Sequence, residues 1–233
     1  MNISKDYSYI NGSQRKLIDA GYGKISVHSI HFDRYVSEEQ KEANRRFFDG
    51  MTEAERSAYY ASDDFENVQK AYAESLADVL NYFIGKFDIH QVSPETSTSK
   101  HYNSDWDLFF YSNRGWNGKD YMSYFSLTFN DKRTPDENMA MLENIIAMLE
   151  NIESDKVHCR IQYDAVIDDG KVSEAADKAY QSISGKFIPY CGYVGKVKII
   201  RDENGIRDYG FFKKGASKKY YAISNADLLV MCM

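Results

Sequence analysis

Residues 63–83, DDFENVQKAYAESLADVLNYF, place apolar side chains at 65, 68, 72, 76, 79, 80 and 83. Steps of three and four residues gather into one stripe on a helix of 3.6 residues per turn. The segment is therefore expected to be the main helix of the domain, starting near Asp63 with Glu66 in its first turn. Past Gly85 the period changes to short runs of β-branched and aromatic residues, the pattern of strands. That change decides the class. Helices crowd the first part of the chain and strands the later part, which predicts an α+β fold with a largely antiparallel sheet.

Upstream, Ser37 with Gln40 and Thr52 with Glu55 have the spacing of helix caps, and Asp49-Gly50 ends the first of these two helices. Ser13 is read as the cap of a short helix through Ala20, stopped by Gly21 and followed by a strand, KISVHSIHF. Downstream, IHQVS, DWDLFFYS and YMSYFSLTF read as strands, the last two joined by the turn-rich NRGWNGKD. Thr134, Pro135 and Glu137 open a second major helix, and VHCRIQYDAVI is a strand. SEAADKAYQSIS is a short helix. The end reads as strand: KVKIIRD, the Asn204-Gly205 hairpin signal, IRDYGFF, YYAIS and LLVMCM. One domain over residues 1–233 is expected, with a soft boundary near residue 88 between a helix-rich and a sheet-rich region.

A chain of 233 residues buries about 70–75% of its unfolded surface. Its 43% apolar and 27% charged residues are those of an ordinary packed globule. Neither a leader-like apolar run nor an eighteen-residue apolar span occurs, so a cytoplasmic location and no membrane partner are expected. Cys159, Cys191 and Cys232 form no CxxC pair and are read as reduced core thiols. Tyrosine stands out, at 19 against 9 leucines. Its apolar face and polar tip suit half-buried sheets and recognition surfaces alike.

Charge is unevenly placed. Residues 186–221 hold nine Lys or Arg against three Asp or Glu, in a chain of net charge −6. Within this basic end, Lys196 and Lys198 share a strand face by the period of two, and Arg201 and Arg207 flank the Asn-Gly turn. Lys213, Lys214, Lys218 and Lys219 crowd the next loop, with Tyr209, Phe212, Tyr220 and Tyr221 beside them as stacking faces. Lysine with aromatic neighbours is what contact with phosphates and bases requires. Lysine also guards exposed sheet edges and solvates hairpin tips. Acidic clusters in the remainder, SDDFE, NIESD and DAVIDDG, have the charge to imitate a nucleic-acid backbone, and they also suit helix caps and turns.

Asp105-Trp106-Asp107 sets two carboxylates two residues apart, on one side of a strand, where they could share a divalent ion such as magnesium. SDWDLFF resembles the D-x-D strand of the nucleotidyltransferase superfamily related to DNA polymerase beta. That resemblance implies a third carboxylate from a later strand, here Asp164, and phosphoryl-transfer chemistry through the metal. The family's Gly-Ser pair has no counterpart in VSPETSTSK. His28, His31 and Asp33 are a second candidate metal group, although positions 28 and 31 face opposite sides of a regular strand. No triad, P-loop or dinucleotide fingerprint is found, and His101 near Asp105 lacks a nucleophile setting.

The leading expectation is a binding protein without catalytic chemistry or cofactor, which occludes a nucleic-acid-binding surface of a host protein. In size, acidity and aromatic content it is similar to inhibitors carried by phages and mobile elements, such as anti-restriction and anti-CRISPR proteins. Direct RNA or DNA contact through the basic hairpins belongs to the same expectation. The alternative is a metal-dependent nucleotidyltransferase or phosphoryl-transfer enzyme using Asp105, Asp107 and Asp164.

Overall fold

A computed structural model describes residues 1–91, 106–114, 121–190, 193–201, 207–213 and 220–233. The elements run β1 (Asn2–Asp6), α1 (Gly12–Asp19), β2 (Gly23–Arg34), α2 (Glu38–Asp49), α3 (Glu53–Tyr60), α4 (Asp63–Phe83), β3 (Ile89–Gln91), β4 (Leu108–Arg114) and β5 (Met122–Phe129). Then follow α5 (Pro135–Leu149), β6 (Val157–Ile167), α6 (Asp169–Ile183), β7 (Phe187–Tyr190), β8 (Tyr193–Arg201), β9 (Arg207–Lys213), β10 (Tyr220–Ile223) and α7 (Asn225–Cys232). The fold is α+β. One sheet has the order β1-β6-β2-β5-β4-β3 and the other β10-β9-β8-β7. Among the described residues no helix is long and apolar enough to cross a membrane.

Local chemistry explains most helix starts. Ser37, Thr52 and Thr134 each accept the N–H three residues on, and Glu55 and Glu137 return the bond to complete capping boxes. Three starts differ from the sequence reading. Asn11, not Ser13, caps α1, because its side chain accepts the Gln14 N–H while Gln14 accepts the Asn11 N–H, each at 2.9 Å. Ser62 caps α4, accepting the Phe65 N–H. Asp168 caps α6, which begins at Asp169 rather than Ser173.

The C-terminal LLVMCM is helix, not strand. A short apolar run has no period to separate the two, and the deciding signal lies before it: Ser224 accepts the Asp227 N–H at 3.1 Å and so starts α7. Strands β1 and β7 were not anticipated. The Asn204-Gly205 turn and most of NRGWNGKD lie outside the described residues.

The chain forms two compact units, Met1–Tyr9 with Ser26–Asp164, and Ile10–Ile25 with Ala165–Met233. In the first, β2, β4, β5 and β6 follow a β-α-β-β-α-β path, with α2 to α4 in the first crossover and α5 in the second, and lie in the spatial order β6-β2-β5-β4. Pairs β2·β5 and β4·β5 are antiparallel, whereas the edge pairs β1·β6 and β3·β4 are parallel.

Strand alternation divides the residues of this sheet. Ile30, Phe32, Phe125, Leu127, Val157, Cys159 and Ile161 are buried, as are Leu76, Val79 and Phe83 on α4 and Leu142, Ile145 and Leu149 on α5. The intervening positions are polar: Ser29, His31 and Asp33 on β2, His158, Arg160, Gln162 and Asp164 on β6, and Ser126 and Thr128 on β5.

Of the three cysteines read as core thiols, only Cys159 is found buried: burial pushes its thiol up to about 12, and the charge of Asp33 adds to the effect, whereas Cys232 near the end of α7 is exposed and Cys191 lies outside the described residues. Only the thiolate is nucleophilic. Iodoacetamide at neutral pH should therefore alkylate Cys232 and leave Cys159 untouched until denaturant is added, read by peptide mass mapping. Rapid modification of Cys159 in the native protein would contradict this packing.

In the second unit, α6 and α7 pack on one face of the four-stranded sheet. Ala176, Tyr180, Val197, Ile223 and Leu228 form one buried cluster, and Leu17 of α1 joins Val172 and Leu229 in another.

Candidate functional site

Cross-strand register sorts the basic end of the chain. On β8, Lys196 and Lys198 are exposed and Val197 between them is buried, as the period of two requires. Lys196 pairs with Phe187 of β7 and with Phe212 of β9, and Phe212 pairs with Tyr220 of β10. Directly paired residues share a face, so positions 187, 196, 212 and 220 form one row across all four strands. Phe187 is 52% exposed at one end of it.

Other residues read as one basic surface fall elsewhere. Tyr221 pairs with Phe211, which pairs with Val197, and Tyr209 pairs with Ile223, both of which place their positions on the helix-covered side. Lys213 pairs with Gly195 and Arg201 with Arg207, positions in step with Val197 rather than with Lys196. Lys214, Lys218 and Lys219 lie outside the described residues.

The carboxylates of the alternative reading are not gathered. Asp107 precedes β4 and is bound by local structure: Arg133 donates to its Oδ1, and the Asp88 N–H donates to its Oδ2 at 3.0 Å. Asp164 stands on β6, three strand places from β4. At the usual ~4.8 Å between strands the two are about 14 Å apart, beyond the reach of one ion. Asp105 lies outside the described residues. Asp164 instead faces His28 at 3.9 Å, and burial, partly offset by His28, pushes its carboxyl above the usual range.

The polar face of the first unit holds a network that the spacing of residues in sequence conceals. Asp33 is its hub. Arg160 donates to Asp33 Oδ2 at 3.1 Å, His31 Nε2 lies 3.5 Å from the same oxygen, and His158 Nδ1 lies 3.4 Å from Oδ1. Each histidine holds a serine on its other nitrogen: Ser4 Oγ lies 2.9 Å from His158 Nε2, and Ser126 Oγ lies 2.8 Å from His31 Nδ1.

Burial alone would raise the Asp33 carboxyl. The hydrogen bond and charge of His31, with the charges of His158 and Arg160, outweigh it and hold the group below the usual carboxylate range. His28 and His31 thus serve different carboxylates. Among the described residues no group of three His, Cys, Asp or Glu is arranged to hold a metal ion. Around Asp33 the cationic place is taken by Arg160.

Sequence reasoning found Asp33 and His31 but missed Ser4, His158 and Arg160. Its signal was available only as strand alternation in VHCRIQYD, whose polar positions are His158, Arg160, Gln162 and Asp164. Comparison of the chain with family models, with curated proteins and with solved structures finds no match in any of the three.

Proposed function

We propose that this is a cytoplasmic macromolecule-binding protein of inhibitor kind, comparable to the anti-restriction and anti-CRISPR proteins of phages and mobile elements. It acts by occluding a nucleic-acid-binding surface of a host protein. The outer face of its four-stranded sheet is the contact surface toward the phosphates of the nucleic acid. One observation carries this reading: the row Phe187, Lys196, Phe212 and Tyr220, with Lys198 beside it, combines cations and aromatic residues on one register of a sheet. Rings offer bases a sequence-tolerant stacking plane, while ammonium groups displace counterions from phosphates. A sheet holds both at fixed spacing with little entropy left to lose on binding.

The test is fluorescence anisotropy with a labelled single-stranded oligonucleotide over a salt series. Lys196→Glu with Lys198→Glu should weaken binding by at least tenfold, and the slope of log K against log salt should flatten by about 1.4, the loss of two phosphate contacts at ~0.7 each. An unchanged slope in the folded double variant would remove this face from the contact surface.

A further inference from the structure

The Asp33 network has the order that acyl transfer to a serine requires. Ser4 of β1, His158 of β6 and Asp33 of β2 stand on three successive strands of the six-stranded sheet. Their contacts run Ser4 Oγ to His158 Nε2 at 2.9 Å, then His158 Nδ1 to Asp33 Oδ1 at 3.4 Å. A hydroxyl is a weak nucleophile until a base takes its proton, and imidazole is a better base when a carboxylate orients it and balances the imidazolium charge. Strands hold such a row more firmly than loops do. We propose that Ser4, His158 and Asp33 are the nucleophile, general base and orienting carboxylate of a site that cleaves carboxylic esters.

The second arm, Ser126 with His31 on the same carboxylate, is the internal comparison. Two features favour the Ser4 arm. Asp33 Oδ2 is engaged by Arg160 and His31, whereas buried Oδ1 makes no hydrogen bond and faces His158 as an ion pair, so that oxygen is left to stabilise a His158 imidazolium. Ser126 lies on β5 between β2 and β4, with its backbone inside the sheet, whereas Ser4 lies on the edge strand β1, beside β6 alone. An edge strand presents a row of N–H groups outward, and such amides are the donors that a developing oxyanion needs.

Space for a substrate adjoins the row. A hollow is lined by Met1, Asn2, Tyr35 and residues 153–155, and two of these neighbour His158: Asn2 pairs with it in the β1·β6 ladder, and the Tyr35 ring meets its ring edge-on at 6.3 Å.

In the first step Ser4 Oγ bonds to the ester carbonyl carbon while its proton passes to His158 Nε2. The carbon–alkoxy bond then breaks, and His158 returns that proton to the departing alkoxide, which leaves as the alcohol and an acyl-Ser4 ester. Water repeats the sequence on the acyl group and releases the carboxylic acid. This chemistry stands apart from the binding surface proposed above, and its test does not involve the lysines.

The experiment is labelling of the full chain with a fluorophosphonate, which loses fluoride as the serine oxygen bonds to phosphorus, followed by peptide mass mapping. One adduct at Ser4 is expected, absent in Ser4→Ala and His158→Gln, slowed by on the order of 10⁴-fold in Asp33→Asn, and undiminished in Ser126→Ala. Circular dichroism establishes that each variant is folded, and hydrolysis of p-nitrophenyl acetate should follow the same order. An unlabelled wild type, a label on Ser126, or equal labelling in folded His158→Gln overturns the proposal.

Discussion

Phe32→Ala is expected to destabilise the protein by about 3–5 kcal/mol, the cost of deleting a large aromatic side chain from a packed core. Phe32 is 0% exposed. Its ring stacks on Phe125 of β5 with centroids 4.5 Å apart and lies 5.9 Å from Phe83 of α4, so one side chain ties the two central strands to the main helix. The hole left by alanine cannot easily close. On the same face, two residues along each strand, Ile30 and Leu127 are held opposite each other in the β2·β5 ladder, and interiors near crystal density relax only partly around a void. Domains of this size have stabilities of about 5–15 kcal/mol, so such a loss removes much of the margin. Urea unfolding followed by circular dichroism should show a lower midpoint with an unchanged slope. Tyr124→Ala, at the exposed position next to Phe125 on the opposite face of β5, serves as the control and should cost under about 1 kcal/mol. Comparable losses in the two variants would mean that Phe32 does not hold the shared core.

The helical scaffold was legible because its signals are local. A cap and its partner lie three residues apart, and the stripe on α4 repeats within one turn, so a window of a few residues contains the whole cause. Where the reading failed, the cause was elsewhere. LLVMCM has the composition of a buried strand, and its helical state is set by the four residues ahead of it. β1 is a polar pentapeptide, NISKD, that becomes a strand only because β6 offers an edge to pair with in parallel. The Asp33 hub is the extreme case. Ser4, Asp33 and His158 meet through strand order, and nothing in a linear pattern places residue 4 beside residue 158. The same topology separates Asp107 from Asp164, which the sequence had joined by analogy. In the basic hairpins, period two placed Lys196 and Lys198 together, but register was needed to learn that positions 207, 209 and 221 fall in step with the other side of the sheet.

Asp33→Ala is expected to cost about 2–3 kcal/mol at neutral pH, within the range for hydrogen bonds to charged groups. The change leaves the Arg160 guanidinium without its carboxylate and the His31 and His158 rings without the group that orients them. The full cost of orphaning a buried charge does not apply, because the side chains of Asp33 and Arg160 are 28% and 37% exposed and water replaces part of what is lost. The pH dependence has a definite sign. In the folded protein the Asp33 carboxyl titrates below its unfolded value, so its contribution is complete above the unfolded value and is lost as pH falls through the folded one. Wild type and variant should therefore differ most at neutral pH and converge in acid. Asp164, whose carboxyl burial has raised, carries the opposite sign. Ionising it costs stability, so Asp164→Asn should gain on wild type as pH rises from the unfolded carboxylate value through the raised folded one, rather than lose. Urea midpoints of the three proteins from about pH 3 to about pH 8 separate these cases, since each carboxylate contributes only where it is ionised. A stability gap between wild type and Asp33→Ala that stays constant into acid would show that the carboxylate charge does not bind the network, and the two Ser–His arms would then lose the group on which both converge.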